Sequence, residues 1–83
     1  MNKFELFQRV TLTRDIPEKR LRRGDVVTIV DRHPSPDGGE AGYSLEVTNA
    51  IGDTVAVIVV AESDLQVLRA EELLSVREFA LAA

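Results

Sequence analysis

The residues best suited to do chemistry form a basic cluster in the first third of the chain. Four positive charges fall within five residues, at Lys19, Arg20, Arg22 and Arg23. Arginine guanidinium groups bind carboxylates and phosphates through paired, charge-assisted hydrogen bonds. The cluster therefore predicts contact with a carboxylate-rich protein or with phosphates, and a merely solvated loop is the alternative interpretation.

The other polar side chains form no catalytic or metal-binding pattern. His33 is the only histidine and cysteine is absent, so the usual ligands of a zinc site are missing. Ser63 and Asp64 are sequence neighbours and cannot face each other as a nucleophile and base must, whereas a cap on a helical turn explains them. Gly38 and Gly39 lack the following Lys and Ser or Thr of a phosphate loop. We predict no enzyme, no metal and no cofactor.

Composition predicts one small domain over residues 1–83. The chain is 45% hydrophobic and 29% charged, as in ordinary globular proteins. It has no cysteine, which fits a reducing compartment, and no segment approaches the roughly 20 apolar residues of a membrane span. We therefore expect a cytoplasmic protein that does not enter a membrane. The net charge of −4 argues against nucleic acid as the partner.

Alternating and β-branched segments predict five strands that would position these residues. The predicted strands cover residues 9–13, 26–30, 43–48, 54–61 and 66–68. Residues 15–25 have no helical periodicity and predict a long irregular loop that ends in a tight turn at Gly24. Ile16 and Leu21 are expected to point inward from this loop, and Tyr43 and Leu45 inward from the third strand.

The fourth strand carries the main apolar feature. Five of the six residues 55–60 are β-branched, which favours a strand over a helix. If Thr54, Ala56, Ile58 and Val60 face the core, an outward row forms at Val55, Val57 and Val59. A bare apolar row on a barrel wall predicts association. The C-terminal segment, a second copy or another protein are the candidates to cover it.

The last residues predict a C-terminal helix over about 70–82. Their composition changes to Ala, Leu and Glu without Gly or Pro. The apolar positions recur at spacings of three and four and would form one apolar stripe, made of Leu73, Val76, Phe79, Ala80 and Ala83. We predict that Leu73 and Phe79 in this stripe contact a partner.

The order of these segments resembles that of SH3-like barrels over about residues 6–69. The motifs that carry a closer resemblance are Leu6-Phe7-Gln8-Arg9-Val10, Asp15-Ile16-Pro17, Gly24-Asp25-Val26-Val27-Thr28-Ile29-Val30, Gly42-Tyr43 and Glu62-Ser63-Asp64-Leu65. They look like the small bacterial family catalogued as domain of unknown function 4926. This resemblance implies a mainly β, five-stranded SH3-like barrel, here with a C-terminal helix added, and implies no catalytic residues.

Two functions remain as hypotheses. The first is a non-enzymatic protein-binding module, such as an adaptor, a complex subunit or an antitoxin- or immunity-type partner, that binds another protein or a second copy of itself. The second is RNA binding through the Arg-rich loop, since Gly24-Asp25 before an apolar strand also resembles an SH3-like RNA-binding motif. Base stacking in such proteins commonly uses exposed aromatic side chains, and Tyr43 is the only tyrosine.

Overall fold

The fold is a single antiparallel sheet of five strands in a computed structural model that describes residues 3–79. The strands are β1 Arg9–Leu12, β2 Val26–His33, β3 Gly42–Thr48, β4 Thr54–Ala61 and β5 Leu65–Val67. Two 3-10 turns lie at Pro17–Lys19 and Glu62–Asp64. The strand order is β4-β3-β2-β1-β5. The prediction of a mainly β chain with five strands is confirmed.

The core lies on one face of the sheet, where the period-two pattern predicted it. Tyr43, Leu45 and Val47 alternate inward along β3, as expected. Ile16 and Leu21 are buried beneath the long loop, and Gly24 has a positive φ of 92°, so both predictions for that loop are confirmed. The core is completed by Phe4, Val10, Leu12, Val27, Ile29, Ala41, Ile58, Val60 and Leu65.

Strand β2 is shared between two parts of the sheet. Its first residues pair with β1, and its later residues pair with β3 as far as His33. The register shifts between Ile29 and Asp31, which marks a bulge. Bulges bend a strand and increase its twist, so β2 turns the sheet as it passes from one neighbour to the other.

The predicted C-terminal helix is wrong over residues 70–79, which contain no helix, while residues 80–82 lie outside the described part of the chain. Helices shorter than about 12–15 residues are marginal in water without a docking face. Two side chains instead dock this segment irregularly: Arg77 binds Asp25, and Phe79 packs against the core. Leu73 and Val76 stay 95% and 91% exposed, so no apolar stripe forms.

Arg77 is the polar contact that holds this tail to the body of the domain. Its guanidinium donates two hydrogen bonds to the Asp25 carboxylate, one of them with an Nε–Oδ1 distance of 3.0 Å, and a third to the Arg20 carbonyl. The hydrogen bonding to Asp25 raises the pKa of Arg77. Asp25 also accepts the Arg22 N–H at 2.8 Å, so one carboxylate joins the turn and the tail.

We expect Arg77→Ala to release the tail. Loss of hydrogen bonds to a partly buried carboxylate should lower the free energy of unfolding by roughly 1 to 2 kcal/mol. Amide hydrogen exchange in residues 70–79 should accelerate in the same variant. Arg69→Ala is the matched control, because Arg69 pairs only with the nearby Glu71 and Glu72, at 3.5 and 3.6 Å. Equal effects of the two substitutions would contradict this assignment.

Candidate functional site

Strand β4 lies at one edge of the sheet and exposes a row of valines. Val55, Val57 and Val59 are 38%, 62% and 67% exposed, whereas Ile58 and Val60 are buried. The predicted orientation of the row is therefore confirmed. Thr54 is a correction: it is exposed rather than inward, because the register with β3 shifts beside it, between Val47 and Thr48.

Two of these valines, Val57 and Val59, also have main-chain N–H and C=O groups that do not pair with β3. Glu62 donates its N–H to the Ala41 carbonyl at 3.0 Å, in register with the β3–β4 ladder. Antiparallel ladders alternate, so the main chains of Val60 and Ile58 bond to β3 while those of Val59 and Val57 point away from it. Within residues 3–79 the edge therefore presents apolar side chains and free hydrogen-bonding groups on the same two residues.

From Ala56 to Ala61 nothing within β4 blunts this edge, and the bulge at Val55, which has no partner in the β3–β4 register, lies near the start of the strand. The strand is eight residues long and contains no charge and no proline, the usual devices that prevent edge pairing. The hairpin before it is well ordered: the Asn49 side-chain carbonyl accepts the N–H groups of Ile51 and Asp53, and Gly52 has a φ of 91°. The edge is thus a long strand held in place by β3 and its hairpin.

Carboxylates predominate in the segments around the row, and one cation, Arg9, shares its outward face, because Arg9 pairs with Thr28, which pairs with Glu46. Residues 34–68 contain six carboxylates and no Lys or Arg. Glu46 lies directly across from Val57 in the β3–β4 register, on the same outward face. Among the described residues, no Lys or Arg forms an ion pair with Glu46. We call Val55, Val57, Val59, Glu46 and the free β4 edge the β4 surface.

The basic cluster forms a second, separate feature. Lys19, Arg20, Arg22 and Arg23 are all exposed. A cleft of about 270 Å³ opens beside the loop, lined by Asp15, Pro17, Arg20, Leu21, Arg22 and Arg77. Asp15 accepts the Arg23 N–H at 2.8 Å and so shapes the loop. The structure therefore brings Arg20 and Arg22 of the predicted cluster together with Arg77, which the sequence did not single out for this role.

The β4 surface and the basic cluster both lie in a region of the chain that matches one family model. The model described as Domain of unknown function (DUF4926) matches residues 6–67. The chain belongs to this family. The DUF4926 region covers all five strands and ends with the last residue of β5, so the tail lies outside it. No curated protein and no solved structure matches the chain.

Leu73 and Phe79, the two tail residues that were predicted to contact a partner, differ in their relation to the DUF4926 domain. Leu73 is almost fully exposed on the tail, whereas Phe79 is partly buried against the domain's own core. Without a helix in residues 70–79 they share no helical face. The predicted contact of Leu73 and Phe79 with a partner stays untested, and Leu73 is the more accessible of the two.

Asp64 and His33, two further polar residues of the DUF4926 domain, make contacts within it. Asp64 accepts the Ala61 N–H at 3.2 Å and binds Arg14 at 2.8 Å, as a turn cap does, and this hydrogen bond raises the pKa of Arg14. His33 is exposed at the end of β2 and lies 2.7 Å from the Ser44 hydroxyl. Within residues 3–79 no group of three His, Cys, Asp or Glu side chains could hold a metal ion, and no helix there could span a membrane.

Sequence reasoning missed two features of the DUF4926 domain. Phe7 is 73% exposed in the left-handed region, with a φ of 67°, and its N–H bonds to the Ile29 carbonyl at 2.6 Å. Nothing in the local pattern distinguishes it from the buried Phe4. The second feature is Glu46, to which the sequence pattern assigns no role. Strand parity could have found it, since residues 44, 46 and 48 must share the outward face.

Proposed function

We propose that the chain is a non-enzymatic protein-binding module, acting in the cytoplasm as an adaptor, a complex subunit or an antitoxin- or immunity-type partner. The observation that carries this proposal is the β4 surface, where three exposed valines lie on the unpaired edge of the sheet. Full burial of a valine side chain contributes roughly 1.5 to 3 kcal/mol, so covering the row is strongly favoured.

The basic loop has a supporting role in this proposal. Lys19, Arg22 and Arg23 are exposed, while the carboxylates of Asp15 and Asp25 bond within the domain. Charges at the rim of an interface steer the encounter and fix orientation more than they add affinity. The valines would then supply buried area, and the loop would supply on-rate and orientation.

The fold we infer for this module is an SH3-like barrel. β4 and β5 are the two edges of the sheet, and in a flat five-stranded sheet they would lie about 19 Å apart. Only the 3-10 turn Glu62–Asp64 joins them, and four steps of such a turn span about 8 Å. This short connection and the bulge in β2 support a sheet that curls toward closure at this end.

RNA binding is the second candidate, and the arginine-lined cleft is the observation that favours it. Two features oppose it: Tyr43 is fully buried, which leaves Phe7 as the one largely exposed aromatic side chain among the described residues, and the acidic residues 34–68 repel phosphate. Binding of RNA through the loop should weaken steeply as salt rises, because it releases counterions from the phosphate backbone.

The test of the proposed function is capture from the host lysate with the tagged full-length chain. Captured protein is identified by mass spectrometry, and RNA is quantified in the same eluate at low and high salt. We expect a stoichiometric protein partner without RNA. The paired substitutions Arg22→Glu and Arg23→Glu should slow association of that partner but retain it. RNA that is retained at low salt and lost in this variant would establish the second candidate instead.

A further inference from the structure

We infer that the β4 edge accepts an extended segment of another protein as a sixth strand, with a Lys or Arg over Val57. This inference rests on the proposed function and deepens it by naming the partner's chemistry. The edge main chain of Val57 and Val59 points away from β3, so it can donate and accept the ladder bonds of an added strand.

The Glu46 carboxylate is the reason that we expect a Lys or Arg in the added strand. An added strand would lie two strand spacings from β3, roughly 9.5 Å, which the long side chain of a Lys or Arg can cross. Its aliphatic part would lie along Val57 while its charge reached the Glu46 carboxylate. Apolar residues two positions to either side would contact Val55 and Val59. The partner motif is therefore a central cation with β-branched residues at alternate positions.

The acidic setting disfavours a second copy as the occupant. Residues 53–64 of another chain would bring three more carboxylates and no cation to the same edge. Like charges facing each other across strands are destabilising. A strand from a different, basic segment satisfies both the edge and Glu46.

The probe is a heptapeptide with lysine at its centre, valine two positions to each side and threonine elsewhere. It is titrated into the full-length chain while amide hydrogen exchange is followed by NMR. We expect exchange at Val57 and Val59 to slow. The matched peptide with glutamate at the centre should bind more weakly, and Glu46→Gln should weaken the lysine peptide roughly two- to five-fold.

Backbone methylation separates this inference from the proposed function. In the probe peptide, methyl groups on the alternate amides that face β4 would block the ladder. Methyl groups on the amides that face away from β4 would leave it intact. One methylated isomer should therefore bind and the other should not. Equal binding of both isomers, or no protection at millimolar peptide, would overturn strand addition. The proposed function could still hold after such a result. It would be supported if the unmodified chain captured a protein partner and the Val57→Asp chain did not.

Self-association is resolved in the same experiment. If exchange at Val57 and Val59 slows in the free chain as its own concentration rises, the occupant is a second copy and the cationic partner is wrong. If exchange stays fast at every concentration and slows only with the lysine peptide, the inference is supported.

Discussion

Val57→Asp is expected to abolish capture of the protein partner while the domain stays folded. Val57 lies at the centre of the exposed row and is 62% accessible, so a carboxylate there remains hydrated in the free chain. In the complex the same carboxylate would replace the apolar side chain on which the partner packs, and it would lie across from Glu46, so two like charges would face each other in the interface. Loss of the apolar contact together with burial of an unsatisfied charge should cost about 2 kcal/mol, so affinity should fall about thirty-fold.

Val76→Asp is the matched control for this substitution. It introduces the same charge at a valine that is 91% exposed on the tail, outside the β4 surface. Capture should be unchanged in this variant, and the free energy of unfolding should change by at most about 1 kcal/mol in either. If Val57→Asp unfolded the chain, Val57 would be a core residue, and if both variants captured the partner equally, the site would lie elsewhere.

Tyr43→Ala is expected to have the opposite outcome, namely loss of the fold. The Tyr43 ring is fully buried, packs edge-to-face on Phe4 at 5.5 Å, and donates its hydroxyl to Glu62 at 3.1 Å. Truncating a buried aromatic side chain costs about 3 to 5 kcal/mol. A chain of this length has a total stability of roughly 4 to 12 kcal/mol, so much or all of it should be lost.

Chemical denaturation measures this loss, and Tyr43→Phe is its control. The phenylalanine keeps the ring and its contact with Phe4 but removes the hydrogen bond to Glu62. That bond should contribute about 1 kcal/mol. If Tyr43→Ala shifted the unfolding midpoint no further than Tyr43→Phe, the ring would not be the centre of the core.

The strands and the outward valines could be predicted because they depend on local patterns. Period-two alternation and β-branching identified β1, β3 and β4, and strand parity grouped Val55, Val57 and Val59 on one face, which the structure shows to be the outer one. Gly24 was recognisable as a turn because its conformation is a property of that residue and its neighbours. The match to the DUF4926 family confirms the resemblance that these ordered motifs carried.

The tail and the arginine cleft could not be predicted because distant contacts determine them. The helical spacing of residues 70–79 was real, but Arg77 meets a carboxylate 52 positions earlier in the sequence. No local pattern reveals that Asp25 binds a cation from the tail or that Phe79 packs against the core. The open edge at β4 was hidden for a similar reason, because strand order is a property of the whole sheet rather than of any segment.

Amide hydrogen exchange of the full-length chain, alone and with its captured protein partner, tests most directly whether the β4 surface is the binding site. We predict that exchange slows at Val57 and Val59 when the partner binds, with little change in the tail. Slowed exchange confined to residues 15–25, with β4 unchanged, would contradict this account and move the binding site to the basic loop.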